Sequence, residues 1–169
     1  MAKPKENVGD IIKQAVEAGR ISAERTAHDA FKATEKRLYA LPVLRLKIED
    51  DKERLQEIRQ YGPRGKSKSI VRFQKQGVRL SPEEILEAII IDLEATIAAD
   101  EYEVETVEKA LHIIERDTYY RTVTGRYVED LSDEQVAAEI PCDTSTVWRN
   151  RKRLVQRVAI WLYGADAVK

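Results

Sequence analysis

The sequence predicts an all-α protein, and three observations carry that expectation. Seven glycines and five prolines are few for 169 residues, and they gather at Gly62-Pro63-Arg64-Gly65 and near Gly77. Alternation of β-branched with polar residues is short everywhere, while apolar residues recur at spacings of three and four. A hydrophobic content of 43% suffices for a modest core, so the chain is expected to form one domain, or a small domain with a helical extension. The expected layout is an N-terminal helical arm with coiled-coil tendency over residues 1–60, a basic linker over 61–80 and a helical domain over 81–169.

In the arm, a heptad can be drawn from about Ala27 to Ile58. One seam row is Ala27, Thr34, Leu41, Ile48 and Leu55; the other is Ala30, Arg37, Leu44, Asp51 and Ile58. Arg37 and Asp51 interrupt the seam, and Pro42 should start a new helix or kink this one, giving a two-helix arm. The seam is read as a surface for self-association or for packing on the rest of the chain. The linker Tyr61–Leu80 has "IVRF" as its only apolar piece. It fits either a solvated connector or an arm that tracks phosphates through Lys66, Lys68 and Arg72.

The linker ends at "SPEE", where Ser81, Pro82 and Glu84 spell an N-cap, a first-position proline and a capping box. The helix that follows carries Ile85, Ile89, Leu93 and Ile97 on one stripe, widened by Leu86, Ile90 and Ile91. A second amphipathic helix is expected near Val104–Asp117. Tyr119 and Tyr120 are read as core of that preceding helix. Ser132 and Gln135 form another capping box, opening a short helix that should bury Val136, Ala137 and Ile140 and stop at Pro141. Asp143 is placed to cap a last helix from Thr144 to about Tyr163. These two closely coupled helices, at about 132–163, have the layout of a helix-turn-helix.

A formal net charge of −1 conceals strong segregation. Tyr61–Leu80 holds six cations and no acid, Ser81–Asp117 twelve acids against two cations, and Thr144–Lys169 six cations against one acid. Such asymmetry suits a polyanion met at two places. At about 100° per residue, Val147, Leu154, Val158, Trp161 and Leu162 share one side of the last helix. Ser145, Arg149, Lys152 and Gln156 lie opposite, flanked by Thr146 and Arg153, with Trp148 at the margin. Arg149 offers two donors to a guanine edge and Gln156 can pair with adenine, while Thr144, Ser145, Thr146 and Lys152 serve bases or phosphates. Arg151 lies near the buried side, with its head directed to a phosphate.

"GRYVEDLSDEQVAAEI" and "DTSTVWRNRKRLV" resemble the promoter-reading region 4 of sigma-70-type factors. There an Arg-Tyr pair, a Leu-Ser cap, an Ile/Val-Ala pair and a Thr-Val near the recognition-helix start recur. The likeness covers roughly Thr106–Leu162, a third of the chain. The whole layout, with "EKRLYALPVLRLKIEDDKERLQE" in the arm, resembles phage late-gene transcriptional regulators of the RinA/ArpU kind. That resemblance implies a phage or bacterial origin, contact of Gln135 with the DNA backbone, and Ser145, Arg149, Lys152 and Arg153 facing the groove. It further implies promoter DNA and host RNA polymerase as partners. Pro141, in place of the usual turn glycine, and Asn150, in place of a buried aliphatic, depart from the pattern. Asn150 needs a hydrogen-bond partner or an outward tilt.

The expected function is therefore a sequence-specific regulator of transcription, acting as a dimer or higher oligomer through the arm. A small terminase subunit also joins DNA binding to helical oligomerisation, but carries its DNA-binding module near the N-terminus. No enzyme is expected: Cys142 has no histidine near it, and there is no glycine-rich phosphate loop and no carboxylate pair in an apolar run. No cofactor or zinc site is expected either, because His28 and His112 lie apart without thiols. The lone cysteine, the absence of an apolar leader and the absence of a long uncharged window point to the cytoplasm of a bacterial host and away from any membrane.

Overall fold

A computed structural model of the chain describes residues 29–62 and 81–168. Regular structure among them is entirely helical, in five α-helices: α1 (Ala30–Tyr61), α2 (Pro82–His112), α3 (Arg121–Tyr127), α4 (Asp133–Glu139) and α5 (Thr144–Tyr163), followed by a 3-10 turn at Ala165–Val168. Lys66, Lys68 and Arg72 lie outside the described residues, as does most of the linker.

The Asp29 carboxylate accepts the Lys32 N–H at 3.0 Å and so caps the start of α1. Gly62, at φ 76°, ends the helix by returning its N–H to the Ile58 carbonyl at 2.9 Å. Between these caps α1 runs unbroken through Pro42, correcting the expected two-helix arm. Proline removes one N–H from the helical ladder. Leu38 and Leu41 beside it are 0% and 1% exposed, so burial of this turn offsets the loss.

α2 opens with the expected capping box: Ser81 Oγ accepts the Glu84 N–H at 3.2 Å, and Glu84 Oε2 accepts the Ser81 N–H at 2.7 Å. It then continues for 31 residues, merging what the sequence divides into two helices. No glycine or proline interrupts "ATIAADEYEVE", so the helix has no local reason to stop. Beyond His112 the chain turns, placing Tyr119 and Tyr120 in the approach to α3 and half-buried against the core.

The described residues fall into two compact units, residues 45–62 with 81–102 and residues 29–44 with 103–168. In the first, residues 45–62 and 81–102 bury Ile48, Ile58, Ile89, Leu93 and Ile97. The two segments run antiparallel, since Lys47 pairs with Asp100 at 2.6 Å while Arg59 pairs with Glu94. Asp51, an interruption of the heptad, is buried and accepts from Lys47 at 2.7 Å. Asp100, and then Asp51, hold the Lys47 ammonium above its ordinary pKa.

The second unit joins residues 29–44 to 103–168. Its core combines Leu38 and Leu41 of α1 with Val107, Ala110 and Leu111 of α2, Val123 and Tyr127 of α3, and Leu154, Val155, Val158 and Leu162 of α5. Arg37, the other interruption, is held by Glu103 at 2.7 Å and stacks on Tyr163 at 5.7 Å. No buried side-chain polar atom among the described residues lacks a partner. Of the two uses read for this seam, packing within the chain is the one its described residues make, with Thr34, Leu41, Ile48, Asp51 and Ile58 buried.

Candidate nucleic-acid interface

Local chemistry fixes α4. Ser132 Oγ accepts the Gln135 N–H at 3.3 Å, and Gln135 Oε1 accepts the Ser132 N–H at 2.8 Å, completing the capping box. Val136 is the residue α4 buries fully, whereas Ala137 and Ile140 are only half-buried. A seven-residue helix has only two turns, and one side chain reaches the centre of its contact with α3. The backbones approach closely there: a Cβ on Gly125 would stand 2.8 Å from Val136 Cγ2. Four residues, 140–143, connect α4 to α5. Asp143 takes the extended N-cap conformation, but its side chain makes no capping bond, and the turn is closed by its carbonyl accepting from Thr146 at 2.9 Å and Val147 at 3.0 Å.

The buried stripe of α5 is Val147, Leu154, Val155, Val158, Ala159 and Leu162. It is rotated from the expected one: Val155 and Ala159 join it, and Trp161 leaves it, 44% exposed. Leu38, Tyr127 and Ala30 are the larger and smaller partners that draw this side inward, information absent from the sequence of α5 itself.

Cations on α5 then sort into two kinds. Arg151, read from sequence as a phosphate contact, is committed elsewhere: its side chain is 13% exposed and both terminal nitrogens meet the carboxylate of Asp133, the first residue of α4. The pair ties α5 to α4 and holds the Asp133 carboxyl below its ordinary range. Arg153 makes the same two-point pair with Asp117 in the turn after α2, at 2.9 and 3.0 Å. It also donates to Asn150 Oδ1, while Asn150 Nδ2 donates to the Thr146 carbonyl at 3.0 Å. Asn150 therefore meets its need by bridging the helix backbone to Arg153. Gln156, expected to read adenine, is half-buried and donates to the Ala167 carbonyl at 2.6 Å, fastening the terminal turn to α5.

Left facing solvent are Ser145, Arg149 and Lys152, with Thr144 beside them. Arg149 donates to the Ser145 carbonyl of its own helix at 3.3 Å, and Lys152 lies 5.4 Å from the ring centre of Trp148, which is 52% exposed. Neither has a carboxylate partner among the described residues. Trp148 thus lies on the outer face, about half exposed. Thr146 is half-buried, and Gln135 is exposed with its carbonyl oxygen used by the cap. Arg157, which the sequence does not single out, is exposed and lies 3.8 Å from Asp117. The two acids that decide which arginines stay outward, Asp117 and Asp133, are separated by 36 and 18 residues from their partners, and no sequence spacing marks them.

Among the described residues there is no group of three side chains suited to a metal ion, and no helix is long and apolar enough to cross a membrane. Fold and site together define an all-helical protein in which a short helix, a tight connection and a long helix present an outward polar and cationic face. No family model, no curated protein and no solved structure matches the chain.

Proposed function

We propose that this protein is a sequence-specific double-stranded DNA-binding regulator of transcription, with α4 and α5 as a helix-turn-helix and α5 as the recognition helix. The supporting observation is the face Ser145, Arg149 and Lys152: short polar and cationic side chains on the first half of α5, turned away from a fully buried stripe and without acidic partners among the described residues. Such a helix can enter a major groove, where an arginine fork matches the O6 and N7 of guanine. Resemblance to sigma-70 region 4 and to phage late-gene regulators extends the reading to activation of phage or prophage late genes with host RNA polymerase.

The test is selection of bound duplexes from a random pool, followed by titration of the recovered sequence. Arg149→Ala should lose about 1–3 kcal/mol on the preferred site and little on random DNA. Equal losses on both would refute base reading by Arg149, and a pool that yields no preferred sequence would refute the proposed function.

A further inference from the structure

The pair between Asp117 and Arg153 has the geometry that an arginine makes with a phosphate. Both terminal nitrogens of Arg153 reach the two carboxylate oxygens, at 2.9 and 3.0 Å, and Arg157 lies 3.8 Å from the same group. One acid is therefore shared by two cations on the side of α5 adjoining Arg149. The acid is more deeply buried than the cations. Asp117 is 16% exposed and its Oδ1 also accepts the Tyr119 N–H at 3.0 Å, whereas the side chains of Arg153 and Arg157 are 45% and 51% exposed. With both guanidinium groups about half exposed, each pair is worth on the order of 1 kcal/mol, so a guanidinium can swing from one anion to another.

We propose that Asp117 is an internal competitor for phosphate, an autoinhibitory contact that withholds Arg153 and Arg157 from the DNA backbone and so restrains sequence-independent affinity. The inference rests on duplex binding by α5. Arg149 and Lys152 are untouched by Asp117 and carry the contacts that form first. Arg153 and Arg157 join only when a phosphate replaces the carboxylate, which exchanges one fork partner for another at the cost of the bonds from Arg153 to Asn150 Oδ1.

The experiment compares the unaltered chain with Asp117→Asn on the preferred duplex and on a random duplex over a range of salt. Asparagine keeps an oxygen for the Tyr119 N–H and loses the charge; Asp117→Ser, whose hydroxyl can also accept that bond, is a second variant. Melting monitored by circular dichroism establishes that both fold. Both should bind either duplex about three- to tenfold more tightly, with a salt dependence steeper by roughly one for each new phosphate contact. Adding Arg153→Gln to Asp117→Asn should remove most of the gain. Unchanged affinity and slope overturn the proposal, as does weaker binding, which would make Asp117 a positioning residue. A preference for one sequence that Arg149→Ala abolishes stands whatever Asp117→Asn does, so the function and this inference fail separately. Absence of duplex binding by the unaltered chain and by both variants overturns the two together.

Discussion

The phenol of Tyr127 is 3% exposed and donates to Glu35 Oε1 at 2.7 Å, with its ring edge-on to Tyr39 at 4.7 Å. Burial first, and the Glu35 carboxylate second, hold this phenol well above its ordinary pKa of 10.0. The folded chain therefore keeps a proton that the unfolded chain releases near pH 10, and its stability falls as pH rises through that range. Tyr127→Phe should flatten this fall when urea unfolding is followed between about pH 9 and 11. An unaltered slope would mean that another group carries the alkaline loss. Beside it, Arg126 donates to the Tyr39 hydroxyl at 2.9 Å, so the Arg-Tyr pair of the motif fastens α3 to α1. Neither partner on α1 is foreshadowed in sequence, because the residues are 87 and 92 positions apart.

At the scale of elements, what depends on neighbours three or four residues away was legible, and what depends on distant packing was not. Both serine capping boxes form as read, since each needs only a side chain and backbone groups of the same turn. The break expected at Pro42 and the division expected within α2 do not occur. Propensity counts single residues, but a turn carrying Leu38 and Leu41 into a core gains more than one missing hydrogen bond costs. Gly125 shows the opposite case. Glycine inside a helix costs about 1 kcal/mol relative to alanine, yet here it allows α3 to meet α4. Gly125→Ala should destabilise the fold by about 1–2 kcal/mol net, because a Cβ 2.8 Å from Val136 Cγ2 meets a β-branched side chain with little rotamer freedom. Chemical denaturation measures it directly, and a stabilised variant would show that α4 shifts without cost.

Across the whole molecule, folding rearranges the charge pattern. Acids of the block 81–117 are matched to distant cations within each unit: Glu94 to Arg59, Asp100 to Lys47, Glu101 to Lys52, Glu103 to Arg37 and Asp117 to Arg153. Five of the twelve acids of that segment are thus matched to distant cations of the same chain. The apolar seam of α1 is used in the same way. Leu41→Ala should cost about 2–5 kcal/mol as a core truncation, with a melting temperature independent of protein concentration over about a hundredfold range. A melting temperature that rises with concentration, and loses that rise in Leu41→Ala, would return the seam to self-association.

The sequence by itself determined the helical class, the caps that start α2 and α4, the Val147, Leu154, Val158 and Leu162 part of the α5 stripe and the outward position of Ser145, Arg149 and Lys152. All are consequences of a 3.6-residue period and of bonds made within a turn. Tertiary structure alone decided that Arg151 and Arg153 are paired, that Gln156 holds the terminal turn and that Trp161 is exposed. A helical wheel fixes the direction of a side chain, but a guanidinium at the end of three methylenes is claimed by whichever carboxylate the fold brings within reach.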